Sequence, residues 1–215
     1  MRSKKLFALL LAAVMVFGSF SMAFAEEPVL LGAAPKTLGA TVDAKLDLSD
    51  QVVILHSNDV HGAIAGYAYM KALKDWYAAA GAEVIVVDAG DFSQGSTYVS
   101  VSKGFDAVTM MNLVGYDYAT LGNHEFDWGL DKILVYWDNV KSNGEATFPL
   151  LSANIVQKST NKNLYDFSTS DEIEQFAIVE KGGAKVGLVS AIGPCEGSII
   201  ASAVADYKFE NVTSN

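Results

Sequence analysis

The sequence is poor in cysteine and arginine, and both shortages limit the structures and functions that it can have. A single cysteine, Cys195, excludes a disulfide within the chain. No arginine follows Arg2, and 25 acidic residues outnumber 15 basic ones. Nucleic-acid binding draws on clustered Lys and Arg, so the composition argues against a DNA or RNA partner. Small phosphate compounds remain compatible with this charge if metal ions supply the positive charge.

Long hydrophobic runs are also scarce. The sequence has only one, and it lies at the amino terminus. Basic residues at positions 2, 4 and 5 precede an apolar run from Leu6 to Phe17, and Ala23-Phe24-Ala25 then offers a small-x-small cleavage site. A membrane-spanning helix is the alternative, but the run is short and no basic cluster follows it. We therefore predict a signal peptide over residues 1–25, a secreted, periplasmic or cell-surface location, and no membrane span after its cleavage.

From residue 51 onward the pattern predicts an α/β fold. Residues 26–50 show no sustained period and are interpreted as a flexible leader. The runs "VVILHSND" (52–59) and "AEVIVVDAGD" (82–91) are apolar and end abruptly in polar residues, as buried strands do. Between them, apolar residues at helical spacing predict a helix over 67–80.

The alternation of strands and helices continues along the chain. It predicts helices over 105–114 and 130–143 and strands over 118–121 and 150–153, which is the α/β pattern. Residues 176–193 predict a β-hairpin that turns at Lys181-Gly182-Gly183-Ala184. Residues 157–175 are polar and predict an exposed excursion.

Polar side chains follow three of the predicted strands where each strand ends. They are Asp59 and His61 after the first strand, Asp91 after the second, and Asn123, His124 and Asp127 after the third. Ligands of open α/β sheets bind at that edge, where several loops converge. Carboxylate, carboxamide and imidazole groups together suit Mn²⁺, Mg²⁺, Zn²⁺ or Fe, so the pattern predicts a divalent metal site. His56 lies inside the first apolar run and is interpreted as a satisfied core residue.

Three stretches carry a resemblance to a known family. "ILHSNDVHG" (54–62), "DAGDFSQGS" (88–96) and "GNHEFDWG" (122–129) resemble the metal motifs of the calcineurin-like metallophosphoesterase superfamily, in the same order. The complete motif sequences are similar to those of the secreted 5'-nucleotidase and UDP-sugar hydrolase family. The resemblance implies a layered sheet sandwich flanked by helices. On that basis residues 51–215 would be a partial metallophosphoesterase domain, incomplete at the C-terminus and without the C-terminal nucleotide-binding domain.

The resemblance also implies roles for the polar residues. Asp59 and His61 would bind a first divalent ion, Asp91 would bridge two ions, and Asn123 would bind the second. His124 would be the catalytic imidazole, oriented by Asp127. The implied reaction is hydrolysis of nucleotide phosphate esters to nucleoside and phosphate, and no substrate-binding residue is identified.

The chain departs from this family in its histidines. Family members carry further histidine motifs, whereas this sequence has only His56, His61 and His124. Two hypotheses follow. The chain is the amino-terminal part of a secreted dinuclear phosphoesterase, or it is a non-catalytic truncated fragment with one metal site at most. A related phosphodiesterase or UDP-sugar hydrolase is the alternative within the enzyme hypothesis, and the 215-residue chain alone is expected to show little or no turnover.

Overall fold

The structure is a computed structural model that describes residues 10–12, 41–42, 46–138, 146–168, 170 and 172–211. The described strands are β1 (Leu10–Ala12), β2 (Val52–Ser57), β3 (Glu83–Asp88), β4 (Tyr118–Thr120), β5 (Leu150–Leu151), β6 (Ile155–Gln157), β7 (Lys162–Asn163), β8 (Ile173–Glu174), β9 (Phe176–Lys181), β10 (Ala184–Val189) and β11 (Tyr207–Phe209). The described α-helices are α1 (Ile64–Ala79), α2 (Thr97–Val101), α3 (Phe105–Val114), α4 (Leu130–Leu134), α5 (Leu164–Phe167) and α6 (Ala201–Val204).

A parallel sheet in the order β1-β2-β3-β4-β5-β8 forms the centre of the fold. The apolar runs predicted as strands form its middle, and Ile85 and Val86 of β3 are fully buried. The α/β class is therefore confirmed. Because β2, β3 and β4 run in the same direction, the loops that follow them emerge at one edge of the sheet.

Two helices cover the sheet as the apolar spacing predicts. Helix α1 begins at Ile64, three residues before the predicted start, and it buries a face that includes Leu73 and Tyr77. Helix α3 has the predicted bounds. It lies between Gly104 and Gly115, which both have positive φ, so a left-handed glycine follows its last turn.

The helix predicted over 130–143 is wrong in length. Helix α4 ends at Leu134 and passes into a one-turn 3-10 helix, Val135–Trp137. The tighter turn accompanies the burial of both Tyr136 and Trp137, and the Trp137 indole donates a hydrogen bond to the Phe148 carbonyl at 2.7 Å. Residues 139–145 lie outside the described part of the chain.

The excursion predicted over 157–175 is also wrong in part. It contains β7, α5 and β8, and β8 adds a parallel strand to the main sheet. Leu164 and Ile173 are buried, so two apolar residues anchor this polar stretch to the domain. Strand β7 joins a small antiparallel sheet in the order β11-β6-β7.

The predicted hairpin is confirmed as an antiparallel pair, β9 and β10. Phe176, Ile178 and Val189 lie on its outer face, and 53%, 62% and 74% of their surfaces are exposed.

The amino-terminal predictions fall mostly outside the described residues. Of the predicted signal peptide, only residues 10–12 are described, and they pair with β2 as strand β1. Of the predicted flexible leader, the last part is packed rather than free, because Leu48 is buried and its amide donates to the Ala80 carbonyl at 2.7 Å. Among the described residues, no helix combines the length and apolar character that a bilayer crossing requires.

Candidate metal centre

The loops after β2 and β3 are joined by backbone hydrogen bonds at the carboxyl edge of the sheet. The Asp59 amide donates to the Gly90 carbonyl and the His61 amide donates to the Asp91 carbonyl, both at 3.1 Å. These bonds hold the first two predicted ligand loops side by side.

Backbone strain is concentrated at the predicted ligands. Five non-glycine residues of the described part have positive φ, and three of them are Asp59 (53°), His61 (48°) and Asp91 (61°). Left-handed backbone at non-glycine residues costs on the order of 1–3 kcal/mol each and persists only where the surroundings enforce it. Such residues cluster at functional sites, so the strain marks this rim as a candidate site.

Three of the predicted residues come together tightly. His61, Asp91 and His124 each offer one ligand atom, and these atoms all lie within 4.8 Å of one another. The two imidazole rings meet edge to face with centroids 5.1 Å apart. Asp59 lies beside this group, with its Oδ1 3.6 Å from Nε2 of His61. Carboxylates and imidazoles at this spacing suit a borderline divalent ion.

The charges at the rim favour a cation. Burial and the adjacent Asp91 carboxylate raise the pKa of Asp59, whereas His61 opposes the increase. Two carboxylates held close together repel each other, and a divalent ion between them would relieve that repulsion. The donor set therefore fits the metal that the sequence predicts.

His124 is held at two points. Its backbone amide donates to Oδ1 of Asp91 at 2.8 Å, and its Nδ1 lies 2.8 Å from Oδ2 of Asp127. Burial acts to lower the pKa of His124, but the Asp127 hydrogen bond and the charge of Asp91 outweigh it, and the net pKa is raised. The Asp127 contact leaves Nε2 as the ring atom that is free to act on a ligand.

Asn123 begins the turn that carries His124. Its carbonyl accepts from the Phe126 amide at 3.3 Å, and a one-turn 3-10 helix, His124–Phe126, follows it. The chain thus brings Asn123 to the same loop as His124, and its role as a metal ligand stays a prediction.

Glu125 is a buried acid that contacts two of the three loops. Its carboxylate is fully buried and accepts four backbone N–H bonds: Oε2 accepts from Asp91 at 2.8 Å and Gly122 at 2.7 Å, while Oε1 accepts from Phe92 and Ser93 at 3.0 Å each. Glu125 therefore ties the Asp91 loop to the His124 loop. No periodic pattern in the sequence distinguishes this buried acid from a surface turn residue.

Two glycines allow these loops to approach. A Cβ on Gly122 would lie 2.3 Å from Oδ1 of Asp91, and a Cβ on Gly90 would lie 2.3 Å from the Gly122 amide. Real Cβ atoms do not approach other atoms this closely. The absence of side chains at both positions is therefore what permits the contact between the second and third loops.

Asp88 lies beneath the rim. One of its oxygens accepts the Gly90 amide at 2.8 Å, and the other accepts the Ser57 hydroxyl. Ser57 in turn lies 2.7 Å from the hydroxyl of Tyr116. Burial raises the pKa of Asp88 to about 8. Asp88 thus connects the ends of β2 and β3 without reaching the ligand cluster.

His56 is not the satisfied core residue that the sequence suggests. Its Nε2 is buried and has no hydrogen-bond partner among the described residues. It lies in β2, and its Cα pairs with that of Val87 in β3.

Comparison with known proteins gives a consistent family. The profile of the family described as calcineurin-like phosphoesterase matches residues 52–183. The protein UshA of Yersinia enterocolitica is 34% identical over 182 residues, which cover 80% of this chain and 30% of UshA. A snake venom 5'-nucleotidase of Gloydius brevicauda is 34% identical over 157 residues, covering 66% of this chain and 25% of that protein. The chain thus spans less than a third of the length of these relatives.

Solved structures agree on the fold. The crystal structure of a 5'-nucleotidase precursor from Thermus thermophilus superposes with a TM-score of 0.59 at 24% identity, over 74% of this chain and 32% of that one. A 5'-nucleotidase-like protein of Staphylococcus aureus superposes with a TM-score of 0.52 at 18% identity, over 75% of this chain and 32% of that one.

Proposed function

The chain belongs to the calcineurin-like phosphoesterase family, and from this membership we propose that it carries the metal-binding part of a secreted hydrolase of nucleotide phosphate esters. The observation that carries the proposal is that one atom from each of His61, Asp91 and His124 lies within 4.8 Å of the others at the rim of a parallel sheet, which brings two proposed ligands and the proposed proton donor together. Relatives named 5'-nucleotidase support nucleotides as the substrate class.

In this proposal the ligands are the residues of three loops. Asp59 and His61 would hold one divalent ion, Asp91 would contribute to two, and Asn123 would hold the second. When bound, the ions supply positive charge for the phosphate group and activate a water molecule for attack. Their charge would stand in for arginine side chains, of which the sequence has none after Arg2.

His124 is the proposed proton donor. Because Asp127 engages Nδ1 at 2.8 Å, the Nε2–H of a protonated ring is available to the leaving oxygen of the ester. The bond from the His124 amide to Asp91 fixes the ring's position relative to the ligands. Asp127 keeps the ring in one orientation and stabilises its charged form.

A second candidate function is binding of one ion without catalysis. It is favoured by the small number of histidines, since the sequence has three and one of them, His56, lies within a strand. Asp91 and Asn123 alone would hold a second ion weakly, because a carboxylate and a carboxamide lack the imidazole donors that raise affinity.

Two measurements on the 215-residue chain separate the candidates. The first is the number of Mn²⁺ ions bound per chain, and the second is Mn²⁺-dependent release of phosphate from AMP and p-nitrophenyl phosphate. We expect one tightly bound ion, a second that binds only weakly, and little or no turnover from the chain alone. Turnover that His124→Ala abolishes would favour the dinuclear enzyme, whereas no metal binding at all would contradict both candidates.

Secretion and domain organisation are part of the proposal. A signal peptide over residues 1–25 would leave residues 26–50 as a leader and 51–215 as the partial domain. Mass spectrometry of the exported protein tests this directly: an amino terminus at Glu26 supports cleavage after Ala25, and an intact Met1 in the exported protein contradicts it.

A further inference from the structure

The two imidazoles of the rim differ in what their Nδ1 atoms contact. Nδ1 of His124 faces the Asp127 carboxylate at 2.8 Å, whereas Nδ1 of His61 faces the carboxamide oxygen of Gln94 at 3.3 Å. The rings are 5.1 Å apart and share the same edge of the sheet. The group that contacts Nδ1 is therefore the main chemical difference between the two histidines.

A carboxamide oxygen accepts hydrogen bonds but cannot donate them. A neutral ring has one N–H, and only the 3.3 Å contact to Gln94 Oε1 is within hydrogen-bond distance, so the hydrogen belongs on Nδ1 and the lone pair on Nε2. That Nε2 is the atom that faces the rim, 3.6 Å from Oδ1 of Asp59. Neutral imidazole binds a metal through its unprotonated nitrogen, and the hydrogen bond at the other nitrogen decides which one that is.

Gln94 is delivered by a turn that is locked to His61. The Ser96 amide donates to the His61 carbonyl at 2.9 Å. A Cβ on Gly95 would lie 2.3 Å from that same carbonyl oxygen, so only glycine allows the turn to lie this close. Gly95 also has φ of 124°, a backbone conformation that other residues rarely adopt. Residues 94–96 are therefore packed against the backbone of His61, and the Gln94 contact follows from that packing.

We propose that Gln94 is a positioning residue that holds His61 in the Nδ1–H tautomer, so that Nε2 of His61 is its metal-binding atom. The metal in this statement rests on the proposed function, whereas the tautomer can be measured without any metal.

The test is the tautomer of His61 in the metal-free chain, read from long-range ¹⁵N–¹H correlations of histidine-labelled protein at alkaline pH, where neutral rings dominate. Only three histidines are present, and His61→Ala identifies the signal. We expect Nδ1–H for His61 in the wild type and in Gln94→Glu, which retains an acceptor. Gln94→Leu should shift His61 towards the Nε2–H form that free histidine favours. The exposed Gln175→Leu change serves as the control and should leave the tautomer unaltered.

A Zn²⁺ titration by calorimetry provides the second measurement. Loss of an outer hydrogen-bond partner of a metal-binding histidine typically costs about 10–100-fold in affinity, so Gln94→Leu should weaken Zn²⁺ binding by that factor. Gln94→Glu should stay within a few fold of the wild type.

The outcomes separate the two proposals. An Nε2–H tautomer in the wild type, or a Gln94→Leu variant with unchanged tautomer and unchanged Zn²⁺ affinity, would overturn the role of Gln94. A wild type with the expected tautomer that binds no Zn²⁺ would refute the metal site and leave the role of Gln94 in setting the tautomer supported.

Discussion

Glu125 gives the sharpest prediction, because one buried side chain joins two of the three loops. Its carboxylate accepts four backbone N–H bonds, two on each oxygen, at 2.7–3.0 Å. In Glu125→Gln one oxygen becomes an NH₂ group, which donates hydrogen bonds and therefore faces two N–H donors. Each buried donor left without an acceptor costs about 1–3 kcal/mol, so the change should lower the free energy of unfolding by about 2–6 kcal/mol.

Urea denaturation of the metal-free chain at neutral pH measures this loss. The matched control is Glu196→Gln, which makes the same chemical change at an exposed residue and should stay within about 0.5 kcal/mol of the wild type. Total stabilities of domains are about 5–15 kcal/mol, so the variant can lie close to the folding threshold. Glu125→Asp keeps both acceptor oxygens on a shorter side chain and should fall between the two. A Glu125→Gln variant as stable as the control would refute the idea that this carboxylate joins the loops.

Three further predictions concern the same rim. Gly122→Ala should weaken Mn²⁺ binding at least tenfold in a calorimetric titration, because its Cβ would lie 2.3 Å from Oδ1 of Asp91. The control is Gly66→Ala in helix α1, whose Cβ meets no atom closer than 3.9 Å and which should bind Mn²⁺ normally. Burial raises the pKa of Asp88 from 3.8 to about 8, so between these pH values the folded chain retains a proton that the unfolded chain releases. The free energy of unfolding should therefore fall as pH rises from about 4 to about 8. Urea midpoints of Asp88→Asn should show a smaller decrease over the same range. Asp127→Asn should lower the pKa of His124 in an NMR titration of the metal-free chain, because it replaces the charged partner at Nδ1 with a neutral one; an unchanged pKa would show that Asp127 does not stabilise the charged ring.

The sequence predicted the fold best where apolar residues recur regularly. The bounds of α3 match the prediction, and α1 differs by three residues at its start and by one at its end, because each helix buries one continuous apolar face and a glycine follows it within two residues. Strands β2 and β3 were predicted from their apolar runs, and β4 was predicted as a short strand after α3. The three loops at the edge of the sheet were therefore predicted before any contact between them was visible.

The predictions from the sequence were wrong where single buried residues decide the structure. The segment 157–175 has no period, yet Leu164 and Ile173 are buried and hold short elements against the domain. Helix α4 ends early where Tyr136 and Trp137 are both buried, whereas the longer helix was predicted only from the alternation of strands and helices.

In the site too, the candidate ligands could be predicted from the sequence, but the contacts that support them could not. Asp59, His61 and Asp91 were predicted as ligands from their position after strands. The supporting contacts of Gln94 and Glu125 join residues 33 and 34 positions apart, Gln94 to His61 and Glu125 to Asp91, and a single sequence carries no sign of such contacts.

The central claim is that three separate loops form one divalent metal site, and calorimetric titration of the chain with Mn²⁺ tests it most directly. We predict binding that Asp91→Asn and His61→Ala each abolish, while Asp75→Asn, a change at an exposed acid on α1, leaves it unchanged. A chain that binds no Mn²⁺, or whose binding survives Asp91→Asn, would contradict the account.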